Sequence, residues 1–400
     1  MQTEAESMPP ALDEVRSQEP EMIEIRRTIH ARPELAYEEH ETASLVADRL
    51  ERWGWTVHRG LAGTGVVGTL TSGNGGRRIG VRTDMDALPV QETSGKPWSS
   101  TVFGKMHACG HDGHTAMLLA AARHLAATRA FDGTVHVVFQ PAEEGGGGAR
   151  RMIEEGFFDL FPCDAMFAMH NVPGLPEGRF AIVAGPAMAS ADTCIIRVRG
   201  KGSHAAMPQC GVDTVVATAS IVTALQTIVS RNVAPLDMAV VTVGAMRAGE
   251  APNVIPEEGE LRLSVRAYTP QVRDFLERRI ADVAKAQAGV FGAAADVDYQ
   301  RRYPVVINDP VQAALCRDVV RAWCGEAGLI ADPKPVPGSD DFAFFLERVP
   351  GCYLFMGNGE GTWGDCMLHN PGYDFNDRVL STGASLWVKL VETALSAAQR

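Results

Sequence analysis

No stretch of this chain approaches the roughly eighteen uninterrupted apolar residues of a membrane-spanning helix, so no span is predicted. A basic run is missing too. Its 37 Lys and Arg stand against 49 Asp and Glu, a formal charge of -12, which argues against a nucleic-acid or anionic-membrane surface. The eight cysteines are scattered without paired spacing, as in a reduced, intracellular protein. The opening MQTEAESMPPALDEVRSQEP has neither a cationic start nor an apolar core, so no signal peptide is expected. There is no internal repeat, and no low-complexity tract beyond Gly145–Gly148. These absences leave a globular, cytoplasmic protein. At 400 residues, 46% hydrophobic and 22% charged, two domains are expected rather than one.

Residues 1–18 read as a loose arm. Two amphipathic helices, Glu21 to Ala31 and Glu38 to Trp53, are broken at Arg32-Pro33. Strands follow at Thr64 to Leu70 and Arg78 to Thr83, the latter running into Asp84-Met85-Asp86. Then comes His107-Ala-Cys-Gly-His-Asp-Gly-His114, with three histidines, a cysteine and an aspartate in eight residues at the start of an apolar helical run. Gly133 to Phe139 is a β-branched run fit for a buried parallel strand, ending in Gln140-Pro-Ala-Glu-Glu144. A short helix from Ala149 precedes the strand Ala165 to Met169, which ends at His170. Site residues at successive strand ends predict an open, doubly wound α/β sheet.

The pattern then changes. Thr193 to Arg199, Asp213 to Ser230, Met238 to Met246, Glu260 to Ala267, Val272 to Ala288 and Ala295 to Arg301 read as βαββαβ, a ferredoxin-like α+β unit inserted whole. The expected division is a catalytic domain, 19–187 and 303–400, interrupted by a second domain, 188–302. In the resumed part, a helix near Pro310 to Gly325, a strand at Gly351 to Phe355 and a last helix from Val379 to Ala397 are expected.

Four clusters fall at strand ends or loops: Cys109/His111, Glu143/Glu144, His170 and His369 in Leu-His-Asn-Pro371. Cys, His and carboxylate together suit Zn²⁺, Mn²⁺, Co²⁺ or Ni²⁺. Five such ligands exceed the needs of one tetrahedral catalytic ion. Two ions about 3.5–4 Å apart with a shared ligand would use them all. Adjacent side chains at an extended strand end diverge, so one glutamate of the 143/144 pair can bind metal while the other faces water as a general base.

Eight ordered motifs make the chain recognisable. They are Arg27-Thr-Ile-His-Ala-Arg-Pro-Glu-Leu35, Arg82-Thr-Asp-Met-Asp-Ala-Leu-Pro89, His107 to His114, Gln140 to Glu144, Gly200-Lys-Gly-Ser-His-Ala205, Pro252-Asn-Val-Ile-Pro256, Gly338-Ser-Asp-Asp-Phe342 and Leu368 to Pro371. The sequence resembles the dinuclear-metal aminoacylase and carboxypeptidase family. The similarity is to the amidohydrolase branch with hippurate hydrolases, auxin–amino-acid conjugate hydrolases and N-acetyldiaminopimelate deacetylases. The resemblance implies a phosphorylase/hydrolase-like catalytic domain with the inserted unit as lid and dimerisation domain.

It also implies roles. Cys109 would bridge two divalent metals, His111 and His170 holding one and Glu144 and His369 the other. Glu143 would be general base, activating a metal-bound hydroxide against the amide of an N-acyl or N-aroyl amino acid. His204 would reach the partner subunit's site in a homodimer, or a higher oligomer, and stabilise the oxyanion. Asn253, Arg266, Gly338 and Ser339 would contact substrate. In the better-known peptidase branch a histidine ligand stands where Arg82 is here, and an arginine cannot ligate a cation. Asp84 is therefore expected behind the ligands, not among them. Competing readings are a dipeptide-like, p-aminobenzoyl-glutamate or aminated aromatic substrate, a cysteine amidase using Cys109 and His111, and a non-catalytic dimeric binding protein. Met188, Met207, Met246 and Trp363 are candidates for the acyl pocket.

Overall fold

The computed structural model describes residues 9–396. In chain order the first elements are α1 (Asp13–Arg16), α2 (Glu19–Ala31), α3 (His40–Arg52), β1 (Thr56–Leu61), β2 (Gly65–Ser72), β3 (Arg78–Asp84), α4 (His111–Thr128), β4 (Gly133–Gln140), α5 (Gly148–Glu154), α6 (Phe157–Leu160), β5 (Ala165–Pro173) and β6 (Phe180–Ala181). A middle stretch holds β7 (Gly185–Met188), β8 (Ala191–Arg199), β9 (Ser203–His204), α7 (Thr214–Asn232), β10 (Ala239–Ala248), β11 (Val254–Ile255), β12 (Glu258–Ala267), α8 (Pro270–Val290) and β13 (Ala294–Tyr303). The chain closes with β14 (Val306–Asn308), α9 (Pro310–Cys324), α10 (Ala343–Leu346), β15 (Gly351–Gly359) and α11 (Leu380–Ala394).

Two compact units result. The first takes the described residues up to Gly185, then Ile307–Lys334 and those from Asp341 onward; the second is Pro186–Val306 with Pro335–Asp340. Residues 335–340 group with the second unit. The reason is pairing: within that unit Ala189 donates to the Gly338 carbonyl at 2.8 Å and Val336 to the Ala187 carbonyl at 3.0 Å.

The first unit is built on a seven-stranded sheet in the order β1-β2-β4-β3-β5-β15-β6. Its centre, β4-β3-β5-β15, is parallel, whereas β1, β2 and β6 join antiparallel. The sheet is thus mixed, and the doubly wound expectation describes only its middle. The central strands are buried almost throughout, as parallel strands require. β1 is absent from the sequence reading because only Leu61 of its six residues is buried, which leaves no apolar signature. Helix α4 is buried without a break from His111 to Ala122, packing against α2, α3 and α11. A helix apolar on every face must lie inside.

The loose arm needs correcting. Its residues 1–8 lie outside the described residues, but from Pro9 the chain packs down. Val15 is fully buried in the core, and the Leu12 amide donates to Ser385 Oγ at 3.0 Å. Val15 and Ala11 supply apolar contact that a tally of the acids around them conceals.

The second unit has a four-stranded antiparallel sheet, β10-β12-β8-β13, with the βαββαβ order of a ferredoxin-like unit. Asp213 and Thr269 cap α7 and α8 by accepting amides of the first turn. Ala217, Ile221, Leu225 and Ile228 of α7, with Leu276, Ile280 and Ala284 of α8, form its core. By length and composition α7 could cross a membrane, which the run-length criterion misses because Thr and Ser interrupt it. Here that apolar face covers a sheet.

Beneath the start of α4 lies a buried charge network. His30 Nδ1 meets Asp112 Oδ2 at 2.8 Å and Nε2 meets Glu92 Oε1 at 3.3 Å, with Arg26 joining Asp112, Asp374 and Asp377. Burial pulls the His30 pKa down, but Asp112 and Glu92 outweigh it and carry it up to about 9. A base whose folded pKa is raised stabilises fully below its unfolded value and loses that contribution as pH climbs through the folded one. The melting temperature should therefore fall between about pH 6.5 and 9, with up to about 3 kcal/mol at stake. Calorimetry across that range should show His30→Gln to be flatter than wild type. Parallel pH profiles would refute the assignment.

Candidate metal centre

β3, β4 and β5 run parallel, and their carboxyl ends deliver the site residues to one edge. Asp84 pairs with Gln140 in register, so Asp86 and Glu143 leave the sheet side by side, and His170 follows two residues after Ala168, the partner of Arg82. α4 begins at His111, after Gly110 in the left-handed region at φ 93°. A Cβ on Gly110 would sit 2.4 Å from Asn171 Oδ1 and 2.6 Å from the Tyr373 hydroxyl, so only glycine allows this turn.

The loop thus fixed holds Cys109 at the meeting of two ligand sets. Donor atoms of Cys109, His111 and His170 lie within 4.8 Å of one another, and so do those of Cys109, Glu144 and His369. Cys109 belongs to both. Its Sγ is 3.3 Å from His170 Nε2, and Glu144 Oε1 is 3.2 Å from His369 Nε2. His369 arrives from a distant loop in a left-handed conformation (φ 67°), its amide donating to the Ala108 carbonyl at 2.7 Å.

The imidazoles are oriented from behind. His111 Nδ1–H donates to the Asp86 carbonyl at 2.8 Å and His170 Nδ1–H to the Asn171 carbonyl at 2.7 Å, turning both Nε2 atoms into the cluster. His111 Nε2 is buried there without a hydrogen-bond partner. Burial opposes its protonation, but Asp84 and Asp86 carry the His111 pKa up to about 10. Burial, then Glu144 and Glu143, pushes the Cys109 thiol well above its usual range; burial and His114 push His170 well below its own. A thiol held neutral in this way is not an activated nucleophile. The buried, unpartnered His111 ring nitrogen, one thiol, two more imidazoles and a carboxylate form a donor set that divalent cations would satisfy, displacing the protons of the His111 ring nitrogen and the Cys109 thiol as they bind.

Arg82 explains Asp84. Buried beside it, the guanidinium donates to Asp84 Oδ2 at 2.8 Å, Asp341 Oδ1 at 3.0 Å and Gln140 Oε1 at 2.8 Å. The other Asp84 oxygen meets His114 Nδ1 at 2.7 Å. Burial would raise the Asp84 pKa, but His111, Arg82 and His114 hold it well below the usual carboxylate range. His114 spans Asp84 and Asn171 Oδ1, the latter also at 2.7 Å, with its ring 4.6 Å from that of His170. The sequence reading names His114 without giving it a part. It gives none to Asp86, Asn171 or Tyr373 either, whose only signals are their places beside named motifs.

In the second unit two further groups form. His204 pairs in register with Val254, next to Asn253, whose carbonyl accepts the Ala205 amide. Both His204 and Asn253 are exposed, and His204 Nδ1 accepts the Ala206 amide at 3.0 Å, leaving Nε2 facing outward. Elsewhere in this unit Arg266 is half-buried and donates to Ser339 Oγ at 3.0 Å, beside Gly338. Met207 and Met246 are exposed, whereas Met188 is buried.

A sequence profile of peptidase family M20/M25/M40 matches residues 80–393. A hippurate hydrolase of Campylobacter jejuni is 40% identical over 370 residues, 92% of this chain and 95% of that one. An IAA-amino acid hydrolase of Arabidopsis thaliana is 41% identical, over 91% of this chain and 83% of its own. Among solved structures, a Bacillus subtilis protein described as a dinuclear metal binding peptidase from the M20 family superposes with a TM-score of 0.83. It is 31% identical and covers 95% of this chain and 99% of that one.

Replacing Arg82 by methionine would leave Asp84 and Asp341 buried with a cation gone. Removing one member of such a network costs about 3–5 kcal/mol. Urea unfolding of the full chain should show Arg82→Met destabilised by that order. A change below about 1 kcal/mol would mean the carboxylates do not depend on it.

Proposed function

The chain belongs to peptidase family M20/M25/M40, and from that premise we propose a metal-dependent amidohydrolase that cleaves the amide bond of N-acyl and N-aroyl amino acids. The observation that carries the proposal is the double membership of Cys109, one sulfur within reach of two complete ligand sets. Two divalent ions suit this donor chemistry, from among zinc, manganese, cobalt and nickel. His111 and His170 would hold one, Glu144 and His369 the other, with Cys109 shared. When bound they would supply Lewis acidity toward the carbonyl and the attacking water.

The rest falls to the chain's own groups. Glu143 is buried at the strand end beside Glu144, and its carboxylate takes the proton from the attacking water and returns it to the departing nitrogen. Arg266 spends one donor on Ser339 and offers the rest of its fork to the substrate carboxylate, with Asn253 and Gly338 as further contacts. His204 presents Nε2 to the developing oxyanion. In this proposal the second unit is the lid, and two copies join through it so that His204 serves the partner's site. The support is its outer edge. β10 ends the four-stranded sheet with Val240 and Met246 exposed, and α7 exposes Val215 and Val216.

The test compares metal content with hydrolysis of hippurate, N-acetyl amino acids, dipeptides and p-aminobenzoyl-glutamate. Wild type should carry two metals per chain and lose activity to a chelator. Glu143→Ala should keep both metals and lose about 10²–10⁴-fold in rate. A metal-free protein that still hydrolyses these amides, or an active Glu143→Ala, would overturn the proposal.

A further inference from the structure

The segment that carries Glu143 and Glu144 does not hold its shape unaided. β4 ends at Gln140, Pro141 has no amide hydrogen, and Ala142 takes a left-handed conformation at φ 56°, where side chains are disfavoured. The next amides all point inward at carboxylates. Ala142 donates to Glu39 Oε1 at 2.9 Å, Glu143 to Asp86 Oδ1 at 3.0 Å and Glu144 to Asp86 Oδ2 at 2.9 Å. Successive amides converging in this way form an anion-binding concavity, filled here by the protein's own side chains. Glu39 and Asp86 are both buried, and the second Glu39 oxygen accepts the Thr64 hydroxyl. Asp341 ties the two ends together, accepting Gln140 Nε2 at 2.8 Å and the Ala149 amide at 2.9 Å. There the chain crosses itself so closely that a Cβ on Gly148 would lie 1.7 Å from the Pro141 carbonyl oxygen.

We infer that Asp86 and Glu39 are positioning residues for the general base and its neighbouring ligand, and that Asp86 sets both sides of the centre at once. Its carboxylate fixes the backbone of Glu143 and Glu144, while its carbonyl fixes His111 Nδ1. A pair of residues just after β4 and the first residue of α4 thereby take their places from one residue after β3. The inference rests on the roles proposed for Glu143 and Glu144.

The donors dictate an asymmetry between the two acids. Both Asp86 oxygens face amides, which cannot turn round, so asparagine must set an NH₂ against an N–H. Glu39 faces one amide and one hydroxyl. A hydroxyl can accept as readily as donate, so glutamine fits. Asp86→Asn should thus damage the site where Glu39→Gln does not.

The experiment compares Asp86→Asn, Glu39→Gln, Glu39→Ala and Glu143→Ala in the full chain. Readouts are kcat and KM on hippurate with the metal-loaded protein, metal retention against a competing chelator, and amide exchange of the 141–148 segment in metal-free protein. Asp86→Asn should lose about 10–100-fold in kcat or metal retention, the usual cost of removing a group behind the ligands. Its KM should stay within about threefold, and the 141–148 amides should exchange faster. Glu39→Ala should follow in the same direction, while Glu39→Gln stays within about threefold of wild type in every readout. A folded Asp86→Asn with wild-type kcat, metal retention and exchange overturns the inference. So does a Glu39→Gln as damaged as Glu39→Ala, and that pair decides the matter should Asp86→Asn fail to fold. Full activity in Glu143→Ala would instead sink the proposed base, while amide exchange still reports on the clamp.

Discussion

A carboxylate taken out of water must be met by donors, and the first unit buries many of them at one edge of one sheet. Asp84, Asp86, Asp112, Asp341 and Glu39 are all inside, and they are answered in three ways. Asp84 and Asp341 share the Arg82 guanidinium, Asp112 takes His30 and Arg26, and Asp86 and Glu39 take backbone amides. Meeting these demands fixes the backbone around Glu143 and Glu144 and the orientation of Asp84.

Much of this was legible before any coordinates. Cys109, His111, Glu143, Glu144, His170 and His369 announce themselves because ligand-type residues at strand ends have no structural excuse, and the structure brings them together. The βαββαβ insert is legible because its strands alternate and its helices are long. What escaped has a common cause. The partners of Asp86 and Glu39 are backbone amides 57 and 103 residues away, and no residue type marks an amide for capture. β1 escaped because an exposed edge strand has no apolar alternation, and α1 because two buried residues, Ala11 and Val15, anchor a stretch that is otherwise acidic.

Arg82 shows how one position can reassign its neighbours. In the branch of the family that this sequence resembles less, a histidine stands there as a ligand. Here the Arg82 guanidinium binds Asp84 and Asp341, and the other Asp84 oxygen meets His114. In the proposed centre, His111 at the head of α4 and Cys109 just before it would supply ligands in place of that histidine. Sulfur and imidazole outnumber carboxylates in that proposed centre, a donor set that suits softer ions.

The chain order of the cluster has a further consequence, for synthesis rather than catalysis. Cys109, His111, Glu144 and His170 precede the inserted unit, whereas His369 follows it by way of α9 and β15. A growing chain therefore emerges from the ribosome with most of the donor set, an exposed thiol and an incomplete sheet, and makes about two hundred more residues before the last histidine appears. During that interval the donors that the proposal assigns to the metals lack His369. On the proposed reading, the second ligand set cannot close until the stretch beyond the inserted unit has been made.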